Sequence, residues 1–192
     1  YSLYEFWDKV KKTHLDTRRY AWFLNLCHQT ILMGIDYMLP IIQELDIQLP
    51  GYAFERNFRA ADCFLRLIKD DPPCELGKLE VATPHTDLSF CTLHWYETRP
   101  HLLWLDEKTK AWTPVDFDMD NQPAAFFLGR KAALFTGGRR EIEPDGTHSK
   151  RILKRSGVLH PLEHRVIEVG PIEQLTTSRY AAVLFFHVPL IL

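Results

Sequence analysis

The stretch ATPHTDLSFCTLHWYETRPHLLWL, residues 82–105, sets His85 and Asp87 two positions apart and follows them with two runs of strand-forming residues. The runs LSFCTLHWY and HLLWLD are rich in Leu, Phe, Thr and Trp, are too short for ordinary helices and are parted by the turn segment TRP at 98–100. Working outward, the same texture recurs in CFLRLIK, AWTPVDF, AAFFLG, AALFTG, HRVIEV and RYAAVLFFHV, with punctuation at DDPP, DEKTK, DNQP and GG. Eight short strands joined as antiparallel hairpins are expected, in a sandwich or jelly roll.

The first fifty residues read differently. Leu24, Cys27, Ile31, Ile35, Met38, Ile42 and Leu45 step by three or four, which marks one face of a helix over 15–47. Asp16 or Thr17 could cap it, Pro40 should kink or divide it, and QLPGY at 48–52 supplies the stop. A shorter helix with Leu3, Phe6, Trp7 and Val10 on one side is expected before it. The chain is therefore expected to be mainly β with α: a helical segment over 1–58 packs on a β domain over 59–192. One polar stretch, 137–157, lacks a strand pattern and carries six Lys or Arg against three Asp or Glu, and is expected to be a mobile, solvent-exposed insertion.

Composition sets the surroundings. A length of 192 residues with 46% hydrophobic content can bury one substantial core. A net charge of -2 supplies no field toward nucleic acid or anionic lipid, so neither is an expected partner. Cys27, Cys63, Cys74 and Cys91 form no CxxC pair and read as reduced thiols, hence a cytoplasmic setting. No stretch of about 18 apolar residues is present to suggest a membrane span.

In a strand, residues i and i+2 share a face about 6 to 7 Å apart, so His85 and Asp87 can converge on one ion where the strand enters a turn. The other reading is the polar end of a strand, with an exposed histidine beside a capping aspartate. An iron that handles oxygen is held by two histidines and one carboxylate on one triangular face, so a distant histidine on a strand is required. The stretch VLHPLEHRVIEVG offers His160 and His164, which share strand parity. His164 leads directly into the alternating RVIEV, whereas His160 precedes Pro161, which favours His164. His94, His101, His148 and His187 read as surface or supporting groups.

Together, PHTD followed by TL, then WTPVD, then HRV, then SRYAAVLFF resemble the C-terminal half of the isopenicillin N synthase-like iron(II)/2-oxoglutarate dioxygenases, over roughly residues 60–187. The resemblance implies a double-stranded β-helix, a cupin-like jelly roll, in which His85, Asp87 and His164 bind Fe(II) and Arg179 pairs with the distal carboxylate of 2-oxoglutarate. It implies a dioxygenase that uses O2 to oxidise a small organic substrate, most simply by hydroxylation, releasing succinate and CO2, with ascorbate as a candidate reductant. Ala181 stands where the family has the serine of its RxS motif, and by strand parity Thr177 is the candidate to supply the missing donor. Phe90, Trp95 and Phe185 are candidates for the barrel mouth or for core. Two rival functions fit the same residues: a jelly-roll binding module with impaired turnover, and a zinc hydrolase with a His2Asp site.

Overall fold

A computed structural model describes residues 18–59, 61–71, 80–98, 101–115, 117, 124–138, 140–142, 148–152, 157–167 and 177–188. The elements in chain order are α1 (Ala21–Gln48), α2 (Phe54–Arg59), β1 (Asp62–Asp70), β2 (Glu80–His85), β3 (Cys91–Glu97), β4 (Leu102–Leu105), β5 (Trp112–Pro114), β6 (Ala125–Leu128), α3 (Arg130–Phe135), β7 (Arg140–Ile142), β8 (His148–Ile152), β9 (His164–Ile167) and β10 (Arg179–His187). Eight strands form two four-stranded sheets, ordered β1-β10-β3-β6 and β2-β9-β4-β5, and every pairing is antiparallel. This is the expected jelly roll, with a helix ahead of the strands.

Helix α1 buries the face that its periodicity marks: Leu24, Ile31, Met38 and Ile42 are buried, and Cys27, Ile35 and Leu45 pack beside them. Pro40 lies inside the helix without dividing it. The helix stops at Gln48, and Gly51 just beyond takes φ +106°, a conformation that suits glycine. Tyr20 occupies the N-terminal flank with no side-chain cap; Asp16, Thr17 and the expected shorter helix fall outside the described residues. The outer face of the first sheet meets this helix at Gly34, where an added Cβ would lie 2.3 Å from Leu184 Cδ1 of β10. Helix and sheet thereby share one core, to which Phe54, Phe58, Leu93, Leu184 and Phe186 contribute. No described helix is long and apolar enough to cross a membrane.

Three expectations need correction. AALFTG is not a strand: Arg130–Phe135 forms α3, because Gly129 lets the chain turn tightly against Ser89, where a Cβ would meet the Ser89 carbonyl oxygen at 2.2 Å. Its first free N–H groups find acceptors there, Arg130 N–H donating to Asp87 O at 2.7 Å and Lys131 N–H to Ser89 O at 3.1 Å. The eighth jelly-roll strand is instead EVATPH, which is β2. Residues 137–157 are also not patternless, since β7 and β8 pair as a hairpin.

Candidate metal centre and buried arginine cluster

The second sheet places the two histidines directly across from each other. His85, last residue of β2, is the register partner of His164, first residue of β9, and their ring centroids are 4.4 Å apart. Asp87 follows two residues later, beyond the strand end. Its Oδ1 lies 3.8 Å from the Nε2 of His85 and 3.8 Å from that of His164. One donor atom from each of the three lies within 4.8 Å of the others. His160 is exposed, outside the strand and outside this cluster.

The surroundings fix how each donor is presented. The Nδ1 of His85 is 2.7 Å from Thr83 O, and that of His164 is 3.2 Å from Leu162 O. Carbonyl oxygens only accept, so each Nδ1 carries the proton and each Nε2 keeps its lone pair toward Asp87. Thr92 Oγ1 donates to Asp87 Oδ2 at 2.5 Å and approaches Ser89 Oγ at 2.9 Å, leaving Oδ1 as the free carboxylate oxygen. Burial pushes the His164 imidazole below its ordinary value against the opposing pull of Asp87, which favours the neutral ligating form. A divalent ion about 2 Å from each nitrogen fits between atoms at these separations. The donor set fits such an ion.

A cavity of about 500 Å³ opens beside the triad, walled by Leu102, Phe127, Val166, Val183 and Phe185. Of the aromatic candidates, Phe185 lines this cavity, Phe90 is core against Phe54 and Phe135, and Trp95 packs edge-on to Tyr37 of α1. Arg179 also reaches the cavity, yet it is only 1% exposed. Its Nη1 donates to Asp70 Oδ2 at 2.6 Å, across the β1–β10 pair, and its Nη2 donates to Glu97 Oε2. Its Nε is buried with no hydrogen-bond partner. Glu97 Oε1 accepts from the N–H groups of His101 and Leu102, and the Nε2 of His94 lies 2.9 Å from Oε2, off the line of an ideal hydrogen bond. Burial alone would raise the Glu97 carboxyl, but His94, Arg179 and the His101 N–H together hold it down at about 2.

Glu97 is the residue that strand parity hides. Along β3, His94 opposes Val183 while Tyr96 opposes Ala182, so Trp95 is an extra residue, a β-bulge. Counting by twos from His94 would send residue 97 to the outer face; the bulge returns it to the inner face, opposite Ala181. His94 is thus a buried member of the arginine cluster, not a surface group. Thr177 is exposed, precedes β10 and does not line the cavity.

No protein-family model matches the chain, and no curated protein matches it. Solved structures do match. Dioxygenase for auxin oxidation 1 from Arabidopsis thaliana, in its binary complex with 2-oxoglutarate, is 20% identical with a TM-score of 0.57, over 79% of this chain and 47% of that one. A full-length Neurospora crassa protein in complex with alpha-KG is 16% identical with a TM-score of 0.65, over 87% and 47%. The dioxygenase for auxin oxidation of rice is 18% identical with a TM-score of 0.59, over 88% and 47%. The chain spans about half the length of these solved chains. The likeness establishes the fold: the jelly roll is the one on which these solved proteins are built.

Proposed function

We propose that the chain is the catalytic barrel of an Fe(II)- and 2-oxoglutarate-dependent oxygenase that oxidises, most simply hydroxylates, a small organic substrate. The observation that carries this reading is the His85, Asp87 and His164 cluster, with both Nε2 atoms turned to one carboxylate oxygen inside a jelly roll. Iron(II) bound with 2-oxoglutarate and O2 would supply the oxidising chemistry, with succinate and CO2 released. The chain's own share is positional. Thr83 and Leu162 hold the histidine tautomers, Thr92 holds the carboxylate, and Leu102, Phe127, Val166, Val183 and Phe185 give the cavity beside them apolar wall for a substrate.

A cavity of about 500 Å³ suits a small molecule. The fold neighbours point the same way: two are dioxygenases for auxin oxidation, and the Neurospora crassa protein was also solved with thymine. Small-molecule substrate, O2 and a cytoplasmic location belong to this proposal, the last resting on the free thiols of Cys27 and Cys91.

The second reading, a binding module without turnover, is favoured by one observation: both terminal nitrogens of Arg179 are already paired. Anaerobic loading with Fe(II), followed by O2 and 2-oxoglutarate without a substrate, decides between them. Succinate formation that is lost in Asp87→Ala supports the oxygenase; stoichiometric Fe(II) binding with no succinate supports the binding module.

A further inference from the structure

Under the 2-oxoglutarate reading, on which any role for this cluster in binding rests, the arginine that would anchor the co-substrate is held by two carboxylates of the chain itself. A guanidinium meets a carboxylate bidentately along either of two edges, the Nη1/Nη2 end or the Nε/Nη2 side. In Arg179 no single carboxylate fills an edge. Asp70 takes Nη1, Glu97 takes Nη2, and Nε is buried without a partner. Of the two nitrogens on the side edge, Nη2 is therefore engaged by Glu97 and Nε is open, in a side chain that also lines the cavity. A buried, unpaired N–H is costly to leave unmade, so it marks a place for an acceptor that the chain does not supply.

Glu97 is also placed to release Arg179 without being stranded. Its Oε1 stays tied to the His101 and Leu102 N–H groups, and Oε2 has His94 Nε2 as a second neighbour at 2.9 Å. The charge balance points to competition: Asp70 and Glu97 bring two negative charges to one guanidinium, so an incoming carboxylate gains little unless one of them yields. Asp70 sits on Nη1, away from the open nitrogen, whereas Glu97 sits on Nη2, which shares the side edge with Nε, so Glu97 is the one placed to yield.

We propose that Glu97 is a built-in occupant of the carboxylate anchor. It holds Nη2 of Arg179 until a ligand carboxylate docks on the Nε/Nη2 side, and it thereby sets the affinity of the barrel for a 2-oxo dicarboxylic acid.

The test is anaerobic calorimetry on the full chain loaded with Mn(II), comparing wild type with Glu97→Gln. The probes are 2-oxoglutarate and 2-oxobutyrate, which lacks the distal carboxylate. Glu97→Gln is expected to bind 2-oxoglutarate about tenfold more tightly, with 2-oxobutyrate and Mn(II) affinities unchanged within about twofold. Glu97→Asp, which keeps the charge but shortens the reach, is expected to shift 2-oxoglutarate in the same direction and serves if the amide variant does not fold. Equal 2-oxoglutarate affinity in wild type and variants overturns the inference alone, as does an equal gain for both oxo acids, which would be a general charge effect. If the Mn(II)-loaded proteins bind no 2-oxoglutarate at millimolar concentration, the co-substrate reading itself fails and the inference falls with it.

Discussion

Thr92 is expected to govern metal affinity without touching the metal. Its hydroxyl is buried and donates to the Asp87 oxygen that faces away from the histidines, so it fixes the rotation of the carboxylate. Removing such a supporting hydrogen bond costs about 10- to 100-fold in metal affinity. Thr92→Val, which keeps the shape, is therefore expected to weaken Mn(II) binding by about that factor, measured calorimetrically, with little change in the fold; unchanged affinity would mean that Asp87 is positioned by its backbone alone. The histidines make a sharper pair. His164→Ala is expected to abolish Mn(II) binding and His160→Ala to leave it nearly intact, because His160 is exposed and outside the cluster. The opposite result would move the assignment to His160. The two candidate histidines were legible in the sequence from parity, and the RVIEV run separated them. Glu97 was not legible, because one extra residue at Trp95 reverses the parity on which such readings depend.

Gly34 shows how an element can be read correctly while its fit goes unseen. Periodicity identified the buried face of α1, but not that the helix comes so close to β10 that a Cβ at 34 would stand 2.3 Å from a methyl of fully buried Leu184. Gly34→Leu is expected to destabilise the protein by about 1–3 kcal/mol through overpacking, seen as a lower urea midpoint at unchanged slope. A neutral result would show that the helix can lift from the sheet. AALFTG misled for a related reason: six residues are too few for periodicity to separate a buried strand from a short helix, and the deciding contacts are backbone bonds to Asp87 and Ser89, distant in sequence. The hairpin of β7 and β8 escaped because nothing in its composition alternates. Its base is fixed elsewhere: Val158 and Leu159 N–H groups donate to Thr136 Oγ1 at 3.2 and 3.0 Å, and Gly157 takes φ +95°. Replacing residues 139–156 by a short Gly/Ser turn, leaving those groups in place, is expected to preserve cooperative unfolding. Loss of the folded state would show that the hairpin carries part of the core.

On the scale of the whole molecule, the arginine cluster joins the two sheets: Arg179 and Asp70 belong to β10 and β1, while Glu97 of β3 receives the N–H groups that open β4. That linkage makes stability depend on pH with a definite sign. The Glu97 carboxyl is held at about 2 against an ordinary value of 4.5, so the unfolded chain takes up its proton first as pH falls. The stabilisation is therefore fully present above pH 4.5 and is lost as pH falls toward about 2. At 1.36 kcal/mol per pH unit, the displacement corresponds to roughly 3 kcal/mol. Other carboxylates also titrate in this window, so acid unfolding of the wild type alone cannot isolate the effect. The difference between wild type and Glu97→Gln can, because the amide does not titrate while every other group is common to both. Urea midpoints measured from pH 6 to pH 3 are expected to show the wild type more stable at pH 6, with the gap narrowing below about pH 4.5 as Glu97 in the unfolded chain gains its proton. A gap independent of pH would show that the two sheets are not joined through an ionised Glu97.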